Sequence, residues 1–245
     1  MPFIDPENGY LTVINLFKTD TPDRVETLVG EMRSIVDTAA FPGWISSTVH
    51  QGRQKLGTAN FIQWRGKEDL ETRYQGDEFK HRTVPVFHEI TKFIRLMQTE
   101  VEIAQRHPGL GDATELSPDR DDYTVIEILG TVPGDQTALI NAVGASHDWL
   151  VDVEGYRSQS VLRGIRSSGT EDGALTAFGK ENDFVVVYSQ WDGRDSYERF
   201  RTLPEADQSA VRRKSQERRD ALTTASDWNS YRVVHSRSAA QPAAA

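Results

Sequence analysis

The residues best suited to chemistry lie in the stretch Asn60-Phe61-Ile62-Gln63-Trp64. Read as a strand, it sends alternate side chains to opposite faces, so Asn60, Ile62 and Trp64 share one face and Phe61 and Gln63 the other. An amide, an aliphatic group and an indole in a row make a wall for a flat aromatic ligand. Asparagine can hydrogen-bond a carbonyl or phenolate oxygen, and tryptophan offers a stacking plane and one N–H donor. Spacing alone leaves a structural alternative open: Trp64 as a core or dimer-contact aromatic and Asn60 as a polar residue at a sheet edge.

Other chemistries find little support. The chain has no glycine-rich dinucleotide or phosphate loop, no Gly-x-Ser-x-Gly and no His-Glu-x-x-His. Cysteine is absent, which removes thiolate nucleophiles and disulfides and fits a reducing, cytoplasmic setting. His81 and His88 fall on one helix face, but with no third ligand nearby no metal site is expected. A bound flavin or nicotinamide has no sequence support. A net charge of −9 argues against nucleic-acid binding, and the basic run Arg212-Arg213-Lys214 with Arg218-Arg219 is broken by Glu217 and Asp220. No apolar run approaches the roughly 18 residues of a membrane helix, and the start lacks the basic and apolar regions of a signal peptide. The expected partner is a small molecule or a protein.

The elements that must position Asn60 and Trp64 repeat. Gln63-Trp64-Arg65-Gly66-Lys67 returns as Gln190-Trp191-Asp192-Gly193-Arg194, 127 residues on. An offset of 112 relates Thr12-Val13-Ile14 to Thr124-Val125-Ile126, Gly43 to Gly155 and Gly52 to Gly164. These matches predict a tandem duplication. In the first copy, strands are expected at 10–17, 44–51, 58–64 and 93–104. Apolar residues at spacings of three and four predict a helix over 24–39, with helical pieces at 67–74 and 79–88. The order β-α-β-β-α-β is the split pattern of a ferredoxin-like domain. The second copy repeats it, with about 15 extra residues beginning at Ser167-Ser168-Gly169, helices at 194–201 and 206–221 and a closing strand at 229–236. The fold class is therefore α+β: two tandem ferredoxin-like domains, residues 1–105 and 123–237, packed as a pseudo-dimer through antiparallel sheets. Residues 106–122 read as a linker and 238–245 as a disordered tail.

A module of this order, with Asn-x-x-x-Trp ending its third strand and an acidic helix after it, resembles the antibiotic biosynthesis monooxygenase family. Both halves resemble it. The Asn-x-x-x-Trp pair is similar to that of cofactor-independent monooxygenases that convert anthrone-type phenols of aromatic polyketide pathways to quinones with dioxygen. The resemblance implies that Asn60 binds the substrate oxygen and favours its ionised form. It also implies that Trp64 packs on and hydrogen-bonds the substrate or a peroxy intermediate, and that no cofactor is needed. Those enzymes carry a tyrosine six residues after the tryptophan. Leu70 stands there in the first copy, with Tyr74 four residues later, whereas the second copy has Tyr197 after Trp191 but Val187 in place of the asparagine. The distal arginine of the family would be Arg82; the same spacing in the second copy gives Ser209, before Arg212 and Arg213. The first half is expected to be the active copy and the second to serve packing, with a homodimer of the whole chain possible. Polar residues inside apolar first strands, Asn15 and Glu127, need partners. A haem-degrading branch of the fold would make Asn15, Trp64 and His81 a haem-site trio. A polyketide cyclase and a non-catalytic ligand-binding protein are the alternative readings.

Overall fold

The computed structural model describes residues 1–132, 134–169 and 183–240. The elements are β1 (Phe3–Ile4), β2 (Leu11–Lys18), α1 (Pro22–Thr38), β3 (Trp44–Gly52), β4 (Gly57–Trp64), α2 (Lys67–Gln75), α3 (Val84–Ile90), β5 (Phe93–Arg106), β6 (Thr114–Glu115), β7 (Tyr123–Gly130), α4 (Gln136–Gly144), α5 (His147–Leu150), β8 (Tyr156–Gly169), β9 (Phe184–Trp191), α6 (Arg194–Thr202), α7 (Ala210–Leu222) and β10 (Ala225–Ser238). A π-helical turn, Phe79–Thr83, joins α2 to α3.

Eight strands close into an antiparallel barrel in the order β10-β3-β4-β2-β5-β8-β9-β7, with β7 returning to β10. Each half supplies four neighbouring strands in the same ferredoxin-like order, and the halves join where β5 pairs with β8 and β10 with β3. Closure leaves none of these strands with a free edge. Period-two patterning sorts the faces. Ile14, Phe61, Ile126 and Tyr188 belong to the core cluster drawn from both halves that fills the barrel, while Leu28, Met32 and Val36 of α1 cover the outer face on Phe17, Val49 and Ile94. Full burial of a side chain such as Phe61 contributes about 1.5–3 kcal/mol.

The matched glycines just ahead of β3 and β8 have a conformational reason to be glycine. Gly43 (φ 73°) and Gly155 (φ 81°) adopt left-handed backbone, and a Cβ on them would come within 2.1 Å of Asp69 and 2.3 Å of Asp192. Their carbonyls accept from Arg65 N and Asp192 N, each at 2.8 Å, which ties each second strand to the turn after the tryptophan.

The glutamines of the two Gln-Trp turns also share one task. Ser46 Oγ donates to Gln63 Oε1 (2.6 Å), and Gln63 Nε2 donates to the Phe3 carbonyl (3.0 Å). Ser158 Oγ donates to Gln190 Oε1 (2.7 Å), and Gln190 Nε2 to the Glu115 carbonyl (2.8 Å). The segments so held, β1 and β6, pair with each other, and fully buried Ile4 and Leu116 join the barrel core. Residues 106–122 are thus not the aperiodic spacer that their Pro/Gly/acid content suggests. Asp122, buried between Arg120 and Arg157, fixes them further.

Other departures are local. The helix expected over 206–221 begins at Ala210, because the Ser209 hydroxyl accepts from Arg212 N (3.2 Å) and caps it. The offset between copies, 127 at α2 and α6, reaches 132 at the last strands, β5 starting at residue 93 and β10 at 225. Part of the expected insertion, Ser167–Gly169, extends β8, and its remainder lies outside the described residues. Of the expected tail, Ser238 ends β10 and Ala239 N donates to the Ile45 carbonyl (2.7 Å), while 241–245 lie outside the description. No described helix is long and apolar enough to cross a membrane.

Candidate active site

Strand pairing sets Asn15 of β2 directly opposite Asn60 of β4, both on the helix-covered face. Two residues further along β4 in each step come Ile62 and Trp64, the latter paired with Leu11. Over this face lie α1, α2, the π-turn and α3. They enclose a cavity of about 80 Å³ lined by Asn15, Asn60, Ile62, Trp64, Arg73 and Tyr74 among apolar neighbours. A second compartment of about 290 Å³ shares Asn15, Phe17, Phe79 and Phe87 with the first and runs to His88 and to Ser168 and Gly169 of β8.

Three enclosed polar atoms on this wall, Asn15 Oδ1, Asn60 Oδ1 and Trp64 Nε1, have no hydrogen-bond partner among the described residues. A buried unpaired polar group costs about 1–3 kcal/mol, so three on one cavity wall is a costly arrangement for a purely structural surface. The adjacent indole shows the ordinary alternative: Trp44 Nε1 donates to Ser47 Oγ at 2.8 Å. By turning about its last bond, each amide offers the cavity a donor or an acceptor.

Tyr74 stacks on Phe79 (4.5 Å between centroids). Burial pushes its hydroxyl up to about 12, against the opposing pull of the Asn15 side chain and the Arg73 charge, so it remains a neutral phenol at ordinary pH. Arg73 lies over the Phe41 ring at 4.0 Å and pairs with Glu78 at 2.6 Å. Balanced by Glu78, it is the one charged side chain among the described residues of a lining otherwise made of neutral groups.

The structure therefore brings Asn15, Asn60, Ile62, Trp64 and Tyr74 together. It does not bring Arg82 or His81 there. The π-turn directs Phe79 and Thr83 to the cavity and leaves residues 80–82 exposed, so the haem-site trio is not assembled and the nearby guanidinium is that of Arg73. Sequence reasoning missed Arg73, although Leu70, Arg73 and Tyr74 fall three and four apart on one face of α2. Trp191 and Tyr197 line a different cavity, of about 220 Å³, in the second half. There Glu127 of β7 stands opposite Val187 of β9, where the first half has its two asparagines. Trp191 Nε1 donates to Ser189 Oγ (3.2 Å), and its ring packs against Phe200, Tyr197 and Tyr156 at centroid distances of 4.7, 5.4 and 5.7 Å. Among the described residues no cluster of three His, Asp or Glu side chains is placed to hold a metal ion.

No protein-family model and no curated protein matches the chain. Solved structures do. The crystal structure of an anthrone oxidase-like protein superposes with a TM-score of 0.89 at 45% identity, over 98% of both chains. A candidate monooxygenase from Fusobacterium nucleatum gives a TM-score of 0.61 at 8% identity over 94% of both chains. One from Lactobacillus acidophilus gives 0.56 at 11%, over 94% of this chain and 96% of that one, and both of these show the fold alone. The 45% relative, sharing this barrel over 98% of both chains, makes the protein an oxidoreductase. The chain belongs to the same family as the anthrone oxidase-like protein, and its fold is the one expected from the resemblance to the antibiotic biosynthesis monooxygenases.

Proposed function

We propose that the first-half cavity oxidises an anthrone-type aromatic polyketide to a quinone with dioxygen, without a cofactor. The observation that carries this reading is the convergence of unpaired Asn15 Oδ1, Asn60 Oδ1 and Trp64 Nε1 on one apolar wall. The similarity to an anthrone oxidase-like protein supports the substrate class.

In this reading Asn60, facing Asn15, holds the substrate oxygen and Trp64 donates its N–H, so that charge developing as the ring deprotonates meets fixed dipoles in an enclosed site. Tyr74, protonated until about pH 12, acts as a hydrogen-bond donor and not as a base. Arg73, its charge balanced by Glu78, closes the cavity beside Phe41. The electron-rich anion reduces dioxygen; the methylene carbon gains one oxygen atom as the quinone carbonyl, its two hydrogens leave in water with the other, and nothing else is consumed. The smaller compartment is below the roughly 300 Å³ of an ordinary ligand pocket. A fused-ring substrate would therefore span both compartments, passing between Phe79 and Phe87.

We also take the chain as a fused pseudo-dimer of domains 1–105 and 123–237, a reading supported by the repeated strand order. The direct test is an oxygen electrode with an anthrone as substrate. One dioxygen consumed per quinone formed is expected; ring closure of a poly-β-ketone without oxygen uptake would make the protein a cyclase instead.

A further inference from the structure

The cavity of the second half has its own polar chemistry. Among the described residues its lining carries three guanidinium groups, Arg201, Arg212 and Arg219, against one carboxylate, Glu127, in a chain whose net charge is −9. Two of the three are neutralised: Arg219 pairs with Glu127 at 2.5 Å and Arg201 with Glu198 at 2.7 Å. Arg212 has no carboxylate partner among the described residues, and it is only 5% exposed.

Arg212 has a structural task, but that task does not use all of it. One N–H donates to the Phe200 carbonyl (2.7 Å) near the end of α6, and the guanidinium lies over the rings of Phe200 (4.5 Å) and Trp149 (5.4 Å). Its Nε is enclosed without a partner among the described residues, and so are Trp149 Nε1 and Arg219 Nε on the same lining. All three are donors and can never accept. Burial alone depresses the Arg212 pKa, with no neighbouring charge to restore it. An unpaired buried charge costs several kcal/mol unless a counter-ion meets it.

The rest of the lining selects the shape of that counter-ion. Trp149, Tyr156, Trp191, Phe200 and Trp228 present aromatic surface around a volume of about 220 Å³, suited to one or two fused rings. Half-buried Ser215 and Gln216 and exposed Arg201 form the side nearest solvent. We infer that the second-half cavity is a binding site for a small planar aromatic carboxylate, whose anionic group meets Arg212 and the Trp149 and Arg219 N–H donors. It is a site separate from the oxygen-using cavity proposed above, and it stands or falls without it.

Calorimetric titration of the full chain with 2-naphthoate and with neutral 2-naphthamide tests the inference. Wild type should bind the acid at least tenfold more tightly than the amide. In Arg212→Met the acid should lose tenfold or more in affinity while the amide changes less than twofold. Ser215→Trp, which fills the cavity from a half-buried helix position and keeps Arg212, should abolish binding of both and decides the matter if Arg212→Met does not fold. Acid and amide binding equally to wild type, no binding of the acid at millimolar concentration, or acid binding undiminished in either variant would overturn the site.

Discussion

The two cavities occupy matching places, each between a four-stranded half of the barrel and its helices, yet they keep opposite polar chemistry. In the first, the Oδ1 atoms of the Asn15–Asn60 cross-strand pair and the Trp64 N–H are left unpaired on an apolar wall whose one charged neighbour among the described residues is Arg73. In the second, Val187 replaces one asparagine, Glu127 the other, and Glu127 is spent on Arg219. Trp191 repeats Trp64 in place but its N–H is satisfied by Ser189. The motif that repeats, Gln-Trp-x-Gly, builds the fold in both halves. The residue pair that differs, one position on each of two adjacent strands, sets what each cavity can hold. Duplicated scaffolds separate these two tasks cleanly, because the shared residues report packing and the unshared ones chemistry.

Several substitutions bear on that division, ordered by expected effect. Replacing both amides, Asn15→Val with Asn60→Val, should lower oxygen-dependent turnover by about a thousandfold, in line with the loss of two oriented amide dipoles. The matching change in the second half, Glu127→Val, should leave turnover within twofold, which steady-state oxygen uptake reads directly. Trp64→Phe, which keeps the ring and loses the N–H, should cost about tenfold in kcat, on the scale of one hydrogen bond to a developing charge. Trp191→Phe should cost nothing in rate.

The barrel interior offers a pH test common to both halves. His50 of the first half sits between the Ala59 carbonyl (Nδ1, 3.2 Å) and the Tyr188 hydroxyl of the second (Nε2, 2.8 Å). A carbonyl can only accept, so Nδ1 carries the proton and Nε2 accepts from Tyr188. Burial lowers the His50 pKa from 6.5 to about 4, only partly opposed by backbone hydrogen bonds. The unfolded chain therefore binds more protons than the folded one between those values. Stability is fully present above pH 6.5 and falls by about 3 kcal/mol as pH drops toward 4. Urea unfolding across that range should show the fall, and His50→Gln should flatten it. Smallest of all, Gln63→Leu should cost about 1–2 kcal/mol in the same assay, since it loses a buried bond to a short lead-in strand, and Gln190→Leu more, since it also loses the bond of its Nε2 to the buried Asp122 carboxylate (3.2 Å). A larger cost at Gln63 would break the claim that this motif holds the lead-in strand in both halves.

Much of the architecture is legible in the sequence. Period-two patterning over β4 puts Asn60, Ile62 and Trp64 on one face, and the offsets of 112 and 127 give the matching strands and the two left-handed glycines. The cross-strand meeting of Asn15 with Asn60 depends on register, which a single strand does not encode. The spacing that points to Arg82 does not reach the cavity, because the π-turn adds a residue to the helical count and leaves 80–82 exposed. The role of 106–122 was hidden because Leu116 is a lone apolar residue among prolines, glycines and acids, and its partner, Ile4, lies at the far end of the half.

The central claim is that the Asn60 amide is needed for oxygen chemistry in the first cavity and that an amide at the matching position is not enough for it in the second. It is tested most directly by giving each half the other's residue. Oxygen uptake with an anthrone should fall about a hundredfold in Asn60→Val, with folding unchanged by circular dichroism, and should not rise in Val187→Asn. Wild-type uptake in Asn60→Val would contradict the account.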